Sequence, residues 1–187
     1  MEIIQLNGLE YEIIRYGSNP LVYIFASKHV WPEGDWQDFG AQEEFIRKIR
    51  PAKVLHEFFE DVTYNPNDWT FTSRNSDKIA REFQTYLERE EIRGTPLEVI
   101  AFKRLAGELG HLVVGCDTRA HLSGMVPDEE REVEQAEGIE SNPGTADRPN
   151  VAIIGAFHCF PNTNLNRILQ EHGFNYAVLQ NLERVFA

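Results

Sequence analysis

The stretches Val22-Tyr-Ile-Phe-Ala-Ser-Lys-His29 and Val151-Ala-Ile-Ile-Gly-Ala-Phe-His158, 129 residues apart, follow one plan: a short apolar run, a small residue, two further residues, then histidine. A run of that length, rich in β-branched and aromatic side chains, reads as a strand buried on both faces of a sheet. Ala52-Lys-Val-Leu-His-Glu57 and Leu112-Val-Val-Gly-Cys-Asp117 also end in charge, the second followed by Thr118 and Arg119. In an open α/β sheet the ligand crevice lies outside the carboxyl ends of the strands. Four parallel strands would therefore bring His29, Glu57, Asp117, Arg119 and His158 to one edge, a set suited to metal-assisted or acid/base hydrolysis.

Outward from these strands the pattern predicts an α/β fold, with a mainly parallel sheet, helices on both faces and an antiparallel hairpin at the N-terminal edge. Ile3-Ile4-Gln5-Leu6 and Tyr11-Glu12-Ile13-Ile14 are split by Asn7-Gly8, a strong hairpin signal. Residues 40 to 50 read as a helix with Phe45, Ile46 and Ile49 on one side. Asn75-Ser76-Asp77 and Thr95-Pro96-Leu97-Glu98 cap two further helices, the second running to Gly110. Ser141 to Asn150 reads as a loop. A helix bearing Leu165, Ile168 and Leu169 ends at Gly173, and Tyr176-Ala-Val-Leu179 is a final strand. With 187 residues and 42% hydrophobic content, the chain is expected to form a single domain, 1–187, around one core.

Charge narrows the partners. A net charge of −12 disfavours nucleic acid, whose binding needs basic residues to neutralise phosphates. Half of that charge falls between Asp128 and Glu140, where seven acids accompany the single base Arg131. Such a run reads as a solvated helix face or a flap, with contact to a basic partner as the alternative. Cys116 and Cys159 lie in or beside apolar runs and read as buried, reduced thiols. No segment reaches the roughly 18 apolar residues of a membrane span, and the N-terminus lacks the pattern of a signal peptide. The expected location is the cytoplasm and the expected partner a small-molecule or peptide substrate. No strand is followed by a glycine-rich phosphate turn, which disfavours a dinucleotide enzyme.

Gly155-Ala-Phe-His158, its counterpart Ala26-Ser-Lys-His29, and Leu55-His-Glu57 with Glu60 between them resemble the paired GxxH motifs and acid-bearing strand of the TraB/ChaN/EreA/Tiki superfamily, closest in look to its TraB-like pheromone-shutdown members. The likeness spans roughly residues 21 to 180, with alanine replacing the first motif's glycine. Asp117 and Arg119 stand where related proteins often carry polar residues after a strand. The resemblance implies a hydrolase acting on a peptide, ester or related carbonyl substrate. Because the superfamily also holds haem-associated members, a noncatalytic ligand-binding or regulatory protein is the alternative it allows.

Two histidines and a carboxylate are a common ligand set for a catalytic divalent ion. His29, Glu57 and His158 are thus candidate ligands for zinc, manganese, cobalt or iron. The same residues permit a metal-independent esterase-like route, in which a histidine activates water, an acid orients it and Arg119 stabilises developing negative charge. His56 alternates with Glu57 and should face the other way. His111, His121 and His172 are assigned no chemistry.

Overall fold

The computed structural model describes residues 2–27, 37–57, 62–65, 70–73, 112–117 and 127–181. Among them are nine strands: β1 (Glu2–Leu6), β2 (Leu9–Tyr16), β3 (Val22–Ser27), β4 (Lys53–His56), β5 (Val62–Asn65), β6 (Thr70–Ser73), β7 (Leu112–Gly115), β8 (Asn150–Gly155) and β9 (Tyr176–Gln180). The described helices are α1 (Gln37–Ile49), α2 (Asp128–Glu140) and α3 (Asn164–Glu171), with a 3-10 turn at Ala156–Cys159. The strands form one mixed sheet in the order β1-β2-β9-β3-β8-β4-β7-β5-β6. From β9 to β7 neighbouring strands are parallel, and antiparallel pairs flank them on both sides.

The N-terminal edge is the expected hairpin. Asn7 and Gly8 both have positive φ, 48° and 76°, the backbone of a primed turn whose twist matches the strands it joins. Leu6 consequently pairs with Leu9 and Ile4 with Tyr11. The opposite edge, β5 with β6, is a second antiparallel pair beyond the one the sequence pattern predicts. Its runs of four residues, Val62-Thr-Tyr-Asn65 and Thr70-Phe-Thr-Ser73, are too short and too polar to announce themselves by periodicity. The capped helices expected between residues 75 and 110 lie outside the described residues.

Strand alternation divides the core into two clusters. Phe25, Val54, Val113, Val151, Ile153 and Leu179 pack with Ala41, Phe45 and Ile46 of α1. Their strand neighbours Ile24, Leu55, Ala152, Ile154 and Val178 pack with Ala136 and Ile139 of α2 and Leu165 and Leu169 of α3. Every residue of β8 is buried, as its unbroken apolar run implies. Asn150, at the head of β8, accepts a bond from the backbone N–H of Lys53 and donates to the carbonyl of Asn142, tying the amino end of the sheet to the loop that enters it.

Candidate functional site

The parallel register brings the charged strand ends together. Ser27 of β3 lies beside Gly155 of β8, and His56 of β4 lies between Ile153 of β8 and Gly115 of β7. Glu57 directly follows β4 and Asp117 stands two residues beyond β7, while His158 sits in the 3-10 turn beyond β8. All three are buried. His29 and Arg119 lie outside the described residues. The chain leading to His29 is anchored as far as Ser27, whose hydroxyl lies 3.3 Å from Asp38 and 2.8 Å from Gln42, with the Tyr11 hydroxyl donating to the same Asp38 carboxylate at 2.6 Å.

The acid-rich segment forms a helix, but its face toward the sheet is not solvated. Arg131, Glu132, Gln135, Ala136 and Ile139 of α2 are buried, so the expectation of a solvated face holds for only part of it. Gly138 makes the approach possible: a Cβ there would lie 2.6 Å from the carbonyl oxygen of Cys116, at the end of β7. Residues three and four apart on α2 then reach the strand ends together. Arg131 donates to Asp117 Oδ2 through Nε at 3.0 Å and Nη2 at 2.8 Å, and Gln135 Nε2 donates to the same oxygen at 3.2 Å. The Gln135 amide also approaches Glu57 Oε2 at 3.5 Å. That oxygen accepts the backbone N–H of Gly155 at 2.8 Å, which joins the end of β4 to the second histidine motif.

Glu132 meets the histidine itself. Its Oε1 lies 3.2 Å from His158 Nδ1, and its Oε2 accepts the backbone N–H of Asn164, the first residue of α3, at 2.8 Å. Burial by itself would lower the imidazole's pKa. The Glu132 hydrogen bond and the Glu57 charge outweigh it, and with a smaller contribution from Asp128 they hold His158 above the ordinary histidine value despite the opposing charge of Arg131. The turn carrying His158 is braced from α3. Thr163 donates its hydroxyl to the His158 carbonyl at 2.8 Å, and Asn166 donates to the Cys159 and Phe160 carbonyls, both at 2.8 Å. Tyr176 in turn donates to the Asn166 side chain at 2.7 Å.

The remaining histidines and cysteines fall where their chemistry is muted. His56 is buried and shares strand parity with Val54, the residue of β4 that packs with α1. His172 is exposed and pairs with Glu140 at 2.9 Å. Burial, reinforced by the Glu57 charge and by Asp117 and Glu132 respectively, pushes the Cys116 and Cys159 thiols well above their ordinary range. The thiolate is the reactive form, so neither is poised as a nucleophile. His111 and His121 lie outside the described residues.

The residues that sequence reasoning missed are Arg131, Glu132 and Gln135. Their signal was present in the charge run itself: the lone base Arg131 stands one residue before Glu132 and four before Gln135, a polar stripe on one helix face. Among the described residues no three histidine, cysteine or acidic side chains are grouped so as to hold a metal ion, and the third expected ligand, His29, lies outside them. The donor chemistry of the described pair nevertheless fits such an ion. A metal-binding histidine typically engages a carboxylate through its other ring nitrogen, the relation Glu132 has to His158. No helix among the described residues is long and apolar enough to cross a membrane. Comparison with protein-family models, with curated proteins and with solved structures finds no match to this chain.

Proposed function

We propose that this chain is a metal-dependent hydrolase of the TraB/ChaN/EreA/Tiki kind, acting on a peptide, ester or related carbonyl substrate in the crevice at the carboxyl ends of β3, β8, β4 and β7. The observation that carries the reading is the convergence of Glu57 with the His158 turn through the Gly155 backbone, inside a buried polar network supplied by α2. The reading takes the sheet as covered on both faces, supported by the separate packing of α1 and of α2 with α3 against alternate strand residues.

His29, Glu57 and His158 would hold a divalent ion, which supplies an acidified water and a polarised carbonyl when bound. Glu57 is kept in place by the Gly155 N–H, and His158 by Glu132. Asp117 is committed to Arg131 and Gln135, so its part is to seat α2 on the site. Arg119 is the proposed donor to negative charge developing on the substrate. Phe157, next to His158 and 65% exposed, offers an apolar surface to the substrate's non-reacting portion.

One observation also favours direct, metal-free hydrolysis: a histidine backed by a buried carboxylate is the arrangement a general base needs. Protein purified without chelator and assayed on chromogenic esters and peptides separates the two routes. Turnover that disappears with chelator and returns with a divalent ion supports the metal route. Full turnover in metal-free protein replaces it with the direct one, and absence of turnover on every ester and peptide rejects the hydrolase assignment.

A further inference from the structure

Glu132 occupies an unusual place for a member of an acidic surface run. It is 5% exposed, and its two oxygens face two different groups, one of them a backbone N–H that can only donate. Oε2 must therefore accept from Asn164. A carboxylate so held also accepts at Oε1, and the ring nitrogen facing it, His158 Nδ1, must then carry a hydrogen. In a neutral imidazole one nitrogen bears the proton and the other does not, so the partner of Nδ1 decides the state of Nε2.

We propose that Glu132 is the positioning residue of the site: clamped between the Asn164 backbone and His158 Nδ1, it fixes the proton on Nδ1 and leaves Nε2 as the unprotonated nitrogen available to a bound metal or a substrate water. The chemical use of Nε2 rests on the function proposed above; the tautomer itself does not. The clamp also couples three elements, because α2 supplies Glu132, the turn after β8 supplies His158, and the first turn of α3 supplies the N–H that holds the carboxylate in place.

The clamp makes an inverted outcome testable. In Glu132→Gln the amide oxygen is claimed by the Asn164 N–H, because an amide NH2 cannot face that donor. The NH2 group is then left toward His158 Nδ1, which must accept, and the ring proton moves to Nε2. Removing the Asn164 N–H should free the amide to turn over. Asn164→Pro does this at the first helical position, where proline is tolerated. The preceding residue Thr163 already has the extended backbone proline requires, with φ −76° and ψ 157°.

Long-range proton–nitrogen correlation spectra of the full chain, prepared without metal at a pH where the ring is neutral and assigned by comparison with His158→Gln, read the tautomer directly. The expected results are an Nδ1–H ring in the parent protein, an Nε2–H ring in Glu132→Gln and an Nδ1–H population restored beside it in Glu132→Gln combined with Asn164→Pro, where nothing fixes the amide. An Nε2–H ring in the parent protein overturns the proposal by itself, even if the variants fail to fold. An unchanged tautomer in folded Glu132→Gln overturns it as well. The measurement needs no substrate, so a failure to find hydrolysis would count against the proposed function and leave this test intact.

Discussion

His158 and Glu57 carry the chemistry proposed here, and single substitutions should separate them from their neighbours. Glu57→Gln and His158→Ala are expected to abolish turnover. Glu57→Gln keeps an acceptor for the Gly155 N–H and should stay near the parent's thermal midpoint, whereas His158→Ala takes the imidazole from the buried Glu132 carboxylate and should lower it. His172→Gln should retain activity, because that imidazole pairs with Glu140 at the surface. A loss of activity in folded His172→Gln comparable to that in His158→Ala would refute the assignment. A second residue-scale effect concerns alkaline pH. Burial raises the Tyr176 phenol, and burial followed by the Glu57 and Asp117 charges raises the Cys116 thiol. A group whose folded pKa is raised contributes stability that is complete below its unfolded value, about 8.5 for cysteine and about 10 for tyrosine, and that is lost as pH climbs toward the folded value. Urea unfolding between neutral and alkaline pH should therefore show stability falling at high pH. The fall above about pH 10 should be shallower in Tyr176→Phe, whose tyrosine no longer ionises.

The element that decides the site is α2, and two substitutions measure how tightly it is seated. Asp117→Ala would remove the buried carboxylate that holds the Arg131 guanidinium at 2.8 Å and leave the more exposed Asp128, 3.5 Å away; removing one partner of a buried pair typically costs about 3–5 kcal/mol. Breaking the exposed Arg167–Glu171 pair on α3 should cost under about 1 kcal/mol, because solvent screens it. Chemical denaturation of the two variants compares these directly, and similar losses would show that the Asp117–Arg131 pair is not the anchor. Gly138→Ala pushes a methyl group into the Cys116 carbonyl, so helix or strand must shift; overpacking of this kind costs about 1–3 kcal/mol. The gain in helix propensity from alanine, about 1 kcal/mol, opposes that cost without relieving the clash. A Gly138→Ala protein more stable than its parent would mean that α2 does not rest on β7 as described.

For the whole molecule the decisive measurement is metal content: elemental analysis should find about one divalent ion per chain, lost in His29→Ala and in His158→Ala, as expected for a two-histidine, one-carboxylate site. Retention of a full equivalent in both variants would place any ion elsewhere. Much of the architecture was legible in the amino-acid order because it rests on local rules. Asn7-Gly8 specifies a primed turn through its backbone freedom, the unbroken apolar runs at 22–25 and 151–154 specify strands buried within the sheet, and strands that end in charge specify a polar sheet edge. The duplicated histidine motif and the acid at Glu57 could be picked out for the same reason. The antiparallel β5–β6 edge could not, since pairing between short polar strands depends on the neighbour that receives them, here β7. Nor could the roles of Arg131, Glu132 and Gln135, because local patterning distinguishes a charged helix face but not what that face packs against. By itself the sequence determined the N-terminal hairpin, the strands of the parallel centre of the sheet, and the acids that follow two of them, Glu57 and Asp117. Only the tertiary structure decided which face of α2 is buried, because the burial of charge depends on partners that the fold brings from residues far away in the chain.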